Sequence, residues 1–108
     1  TGVGTATWNT AAAGYGLDKG IFGYGESYIS ISNLISNVGV VATDTTGVGT
    51  ARASLAACEW GNDKAIFGYG YTGSYTAVSN LVSNAGVVAT DVSGVGTSRS
   101  DAAGCSFN

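Results

Sequence analysis

The chain has 108 residues, a formal net charge of −3 and a charged fraction of 10%, against roughly 25% in ordinary soluble domains. That length bounds it to one domain, and the lack of any Lys/Arg cluster excludes a phosphate-backbone footprint, so nucleic acid is not an expected partner. No apolar run approaches the ~20 residues of a membrane span, no basic and apolar leader opens the sequence, and a chain without Met is expected to be processed or cut from something longer.

Thr1-Gly2-Val3-Gly4-Thr5 opens the sequence, returns as Thr46-Gly47-Val48-Gly49-Thr50, and returns again as Gly94-Val95-Gly96-Thr97. These glycines do not open a helix after a parallel strand, so they read as tight turns between units and not as phosphate loops. The unit spanning 1–17 is an N-terminal partial repeat. Its Trp8 has no counterpart in the other copies and is assigned to that end of the chain. Residues 18–62 then form a full repeat, written out again as 63–108. Asp18-Lys19-Gly20-Ile21-Phe22-Gly23-Tyr24-Gly25 becomes Asp63-Lys64-Ala65-Ile66-Phe67-Gly68-Tyr69-Gly70, and Gly39-Val40-Val41-Ala42-Thr43-Asp44 becomes Gly86-Val87-Val88-Ala89-Thr90-Asp91.

Strand formers alternate with Gly, Asn, Asp and Ser at about ten-residue spacing, the mark of an all-β array. In chain order the spacing predicts strands over 19–24, 28–36, 39–42, 50–57, 64–69, 75–83, 86–89 and 97–103. Four strands in about 46 residues is the size of one propeller blade. Between repeats two residues enter near Tyr71-Thr72-Gly73-Ser74, which predicts a surface loop. Ala65-Ile66-Phe67 and Gly86-Val87-Val88-Ala89 are apolar on both faces, whereas a strand wetted on one side alternates. Each sheet therefore needs a cover on both sides. The expected fold is all-β, with two four-stranded blades per chain plus an extra N-terminal strand unit. It closes into a propeller by homo-oligomerisation, and three chains of two blades give a six-bladed ring.

Catalysis is not expected. The chain has no His, which removes the commonest general base, the Ser-His-Asp triad and most zinc sites. No cofactor and no metal are expected. Glu26, Glu59 and the aspartates are too ordinary in turns to suggest a glycosidase pair. Cys58 and Cys105 share one repeat position and read as free, partly buried thiols. Arg52 and Arg99 are repeat-equivalent, as are Asp44 and Asp91, each eight residues upstream of its Arg. This predicts a structural role, either an ion pair or Arg-to-carbonyl bonding that pins the connection between units. Tyr15, Trp60 and Phe107 fall at one repeat position and are the candidate ligand contacts, because exposed aromatic faces stack on sugars and repetition adds avidity. The competing reading is that they plug the groove between blades.

The small-residue strand containing Arg (Gly49-Thr50-Ala51-Arg52-Ala53-Ser54-Leu55-Ala56-Ala57), followed by an apolar strand ending in glycines (Ala65-Ile66-Phe67-Gly68-Tyr69-Gly70), resembles the Kelch type of propeller blade. Phe-Gly-Tyr-Gly stands where that family has a Gly-Gly doublet, and the Trp of its later strands is absent. "DKAIFGYG", "NLVSN.GVVATD" and "GVGT.R" resemble repeats of bacteriophage virion and tail-associated proteins. That resemblance implies a binding role on a virion or cell surface. The functional expectation is a non-enzymatic, self-assembling binding module for glycans or cell surfaces. Its alternative is a structural assembly protein with protein contacts alone.

Overall fold

A computed structural model describes residues 2–107; Thr1 and Asn108, the outermost residues of the first and last sequence units, lie outside them. The described residues are all-β, without a helix, and form two three-stranded antiparallel sheets. The N-terminal sheet holds β1 (Ala11–Tyr15), β2 (Lys19–Gly25) and β3 (Ile29–Ile35), and the C-terminal sheet holds β4 (Ala56–Trp60), β5 (Lys64–Gly68) and β6 (Ser79–Val82). Each is a meander in chain order. The registers match across the repeat, since Ala12 faces Phe22 in one sheet as Ala57 faces Phe67 in the other.

The first strand of each sheet differs from expectation. Residues 50–55 are a connector, and the strand begins only at Ala56, because Ser54 turns the backbone left-handed at φ 55°. Asn9 and Asp101 hold the same turn at 54° and 57°, so all three connectors share one shape and 97–103 is not a strand. Each sheet therefore starts with a strand contributed by the end of the preceding sequence unit. β1 comes from the partial repeat 1–17.

The fourth strand shrinks to isolated bridges, Val41 to Ile35 and Thr45 to Ser32, repeated as Val88 to Val82 and Val92 to Ser79. The Asn33 side chain donates to the Ala42 carbonyl and Asn80 donates to that of Ala89, and a side chain inserted there leaves no room for a continuous ladder. β6 is also shorter than predicted. The inserted loop bridges Tyr71 to Tyr75 and Ala53, which diverts residues 75–78 from the sheet.

One face of each sheet meets the other sheet. Ala11, Tyr15, Ile21 and Tyr24 from the N-terminal sheet form the core with Leu55, Ala65, Phe67 and Val82. β1 lies against β4 and β5. The two outward faces keep apolar groups in solvent, with Phe22 40% exposed on one and Leu81 38% on the other.

Candidate functional site

The seam between the sheets is built around a hole and a knob. Phe67 is fully buried, and its ring fills the space above Gly23, where an added Cβ would stand 2.7 Å from Cζ. Tyr24 meets the same ring edge-on, with centroids 5.1 Å apart. Only a residue without a side chain lets an aromatic ring descend this far onto a strand. Gly23→Ala is expected to destabilise by about 1–3 kcal/mol, as overpacking does. Gly68→Ala, at the equivalent site, should stay within about 0.5 kcal/mol of neutral, since no described atom lies within 4 Å of that Cβ position. Thermal melts of the two variants check this.

Arg52 locks the seam from the connector. Its side chain is fully buried, with the guanidinium 4.7 Å above the Tyr24 ring. Nε donates to the Tyr69 carbonyl at 2.7 Å and Nη1 donates to that of Thr50 at 2.9 Å. Of the two structural options for this arginine, carbonyl bonding is the one present. Burial pulls its pKa below the usual guanidinium range, while Tyr24 and Asp91 oppose that shift. Arg99 repeats the pose more openly, 3.9 Å above the Tyr69 ring with Nη1 on the Thr97 carbonyl at 3.0 Å.

Asp44 and Asp91 clamp the connectors and not the arginines. Thr5 donates its amide and hydroxyl to Asp44 at 3.1 and 2.6 Å, and Asn33 donates a third bond at 2.9 Å. Thr50, Asn80 and Asp91 repeat the arrangement at 3.0, 2.5 and 2.9 Å. The hydroxyl of Thr5, then Asn33, hold the Asp44 carboxyl below its ordinary value. Burial pushes Asp91 up, but Thr50, Asn80 and the Arg52 charge outweigh it and leave that carboxyl lowered as well. A depressed folded pKa means that the clamp's stabilisation is complete above the ordinary value of 3.8 and is lost as pH falls through the lowered one. Urea midpoints should therefore fall as the pH drops below the ordinary carboxylate value of 3.8, and less steeply in Asp91→Asn.

The three candidate aromatics lie at graded depths. Tyr15 is 3% exposed, Trp60 42% and Phe107 94%. The C-terminal sheet's turn covers Tyr15, with the space beside Gly86 filled by its ring. Trp60 donates Nε1 to the Ala65 carbonyl at 3.1 Å, and the Lys64 ammonium sits 5.2 Å from its ring centroid. These side chains do not converge on a common site: Tyr15 lies between the two sheets, Trp60 ends β4 and Phe107 belongs to neither sheet.

A second aromatic group escaped the sequence reading. Tyr71 stands 6.3 Å from Tyr28 and 5.3 Å from Tyr75, centroid to centroid, and Tyr28 and Tyr75 are exposed. It arises because the insertion loop folds back beside the β2–β3 turn of the other sheet. The available signals were the recurrence of Tyr28 as Tyr75 and the tyrosine, Tyr71, that the insertion adds beside them.

The outward face of the C-terminal sheet forms a groove of ≈ 270 Å³. Ile66, Gly68, Tyr69 and Cys58 floor it, and Arg99 and Gly104 of the C-terminal connector close one side. Burial raises the Cys58 thiol, and neighbouring Cys105 and Glu59 raise it further. Both cysteines are free. Among the described residues no group of three or more His, Cys, Asp or Glu could hold a metal ion, and no helix is long and apolar enough to cross a membrane. No protein-family model and no curated protein matches the chain.

Proposed function

We propose that this chain is a non-enzymatic, self-assembling module whose sheets stack as blades and are completed by further copies, in the manner of a propeller. The exposure series at one repeat position carries the reading. Tyr15 is buried because the next sheet covers it, and Trp60, in the same place one layer on, is half in solvent. The same asymmetry runs through Gly23 and Gly68, which are filled and open, and through Arg52 and Arg99, which are buried and exposed. An apolar face left wet costs about 25 cal/mol per Å², so covering it favours association. The likeness of the repeat phrases to bacteriophage virion repeats supports a role on a particle or cell surface. Native mass measurement tests the reading. A trimer matches a six-bladed ring, and a chain that stays a 10.7 kDa monomer at high concentration would remove it.

The Tyr28, Tyr71 and Tyr75 cluster favours a second reading, recognition of glycans on the outer edge. Adjacent tilted rings offer stacking faces for sugar C–H surfaces. Tyr71→Ala is expected to abolish any binding found on a saccharide array while leaving the native mass unchanged. No binding by the parent chain to any saccharide would end this reading and leave assembly standing.

A further inference from the structure

Among the described residues three connectors serve two sheets, and the third connector is already docked. Residues 94–104 sit on the C-terminal sheet as 47–57 sit on the N-terminal sheet. The Gly70 amide donates to the Arg99 carbonyl at 2.9 Å as the Gly25 amide donates to that of Arg52 at 3.0 Å, and the Arg99 and Arg52 amides both donate at 3.3 Å, to Thr76 and Ile29. Gly104 rests against Cys58. Residues 103–107 are the counterpart of β1 and β4, yet they pair with no strand among the described residues.

Resting on the assembly reading above, we infer that residues 94–107 of one copy take the place of residues 2–15 in the next, so that the first strand of each N-terminal sheet comes from a second copy of this chain. The two segments align without a gap, and the difference at the arginine position favours the incoming one. Where Arg52 reaches forward to the Tyr69 carbonyl, the N-terminal connector has Thr7, which is too short for the equivalent Tyr24 carbonyl. Arg99 has the reach, and its Nε has no acceptor among the described residues. Thr97 presents the amide and hydroxyl that Asp44 accepts from Thr5 and that Asp91 accepts from Thr50. Ala103, Gly104, Cys105, Ser106 and Phe107 replace Ala11, Ala12, Ala13, Gly14 and Tyr15, small residue for small residue and aromatic for aromatic. The exchange also brings the exposed Phe22 of the second copy over the open Gly68 of the first, as Phe67 lies over Gly23 within one chain. Strand exchange between copies is a low-cost route to closed assemblies because most bonds lost are regained.

Cys105 reports on the exchange. It is exposed in the single chain, but in the position of Ala13 it would lie against Ile21 in the core. Native mass spectrometry of the intact protein, followed by iodoacetamide labelling and peptide mapping, is expected to show an oligomer in which Cys105 alkylates at least about tenfold more slowly than in a monomeric control, because a buried thiol is shielded. Gly68→Leu, which fills the groove, supplies that control and should be monomeric with a reactive Cys105. Arg99→Ala, a change at an exposed side chain, should shift assembly towards monomer. An oligomer with fully reactive Cys105 would overturn the exchange and keep the assembly. A monomeric parent would overturn both, and assembly unaffected by either Gly68→Leu or Arg99→Ala would overturn the exchange.

Discussion

Phe67→Ala is expected to cost about 3–5 kcal/mol, the range for emptying a buried aromatic site, and to leave little of the 5–15 kcal/mol that holds a typical domain together. Phe67 is fully buried and touches both sheets, through the hole above Gly23 and the edge of Tyr24. Its removal leaves a cavity that Gly23 cannot collapse to fill, since collapse would need the two sheets to approach. The repeat supplies an internal control. Phe22→Ala deletes the same side chain at the equivalent position, where the ring is 40% exposed, and should cost about 1 kcal/mol or less. For a chain of this size each kcal/mol moves the midpoint by about 4–8 °C, so melts of the two variants under monomeric conditions should separate plainly. Equal losses would mean that the Phe67 seam does not hold the sheets.

Arg52→Ala is the second large effect, expected near 2–4 kcal/mol. Two charge-assisted bonds to the Tyr69 and Thr50 carbonyls disappear, each worth about 1.5–3 kcal/mol, and the contact with the Tyr24 ring goes with them. Part of that loss returns, because a buried guanidinium is costly to desolvate and its Nη2 has no partner among the described atoms. Arg52→Met separates the contributions. It keeps the stem packed and removes the charge, so it should recover roughly half of the alanine defect if packing matters as much as bonding. Arg99→Ala should barely change the melting of the single chain, since that residue is exposed. The contrast between two identical residues at one repeat position makes burial, and not residue type, the cause.

Much of this architecture is legible in the amino-acid sequence. The duplication fixed two equivalent units, and the apolar run through Ile66 and Phe67 marked β5 and, by repetition, β2 in nearly their observed extents. The two-residue insertion announced the loop at 71–74. Arg52 and Arg99 were recognisable as connector residues because they recur with the same spacing. The first strand was misplaced because small residues such as Ala51 and Ala53 extend as readily as those of Ala56–Trp60, and nothing local reveals that Ser54 turns left-handed. That turn is imposed from outside, by backbone bonds from Ser54 to Asn9 and from Asp101 to Ser54. Sequence by itself determined periodicity, strand character and the apolar residues on both faces of the central strands, since these follow from residue size and polarity along one chain. Only the tertiary structure decided which cover is present, putting Tyr15 in the core and leaving Trp60 half wet, because burial depends on the neighbour that arrives from elsewhere and identical positions in a repeat have different neighbours.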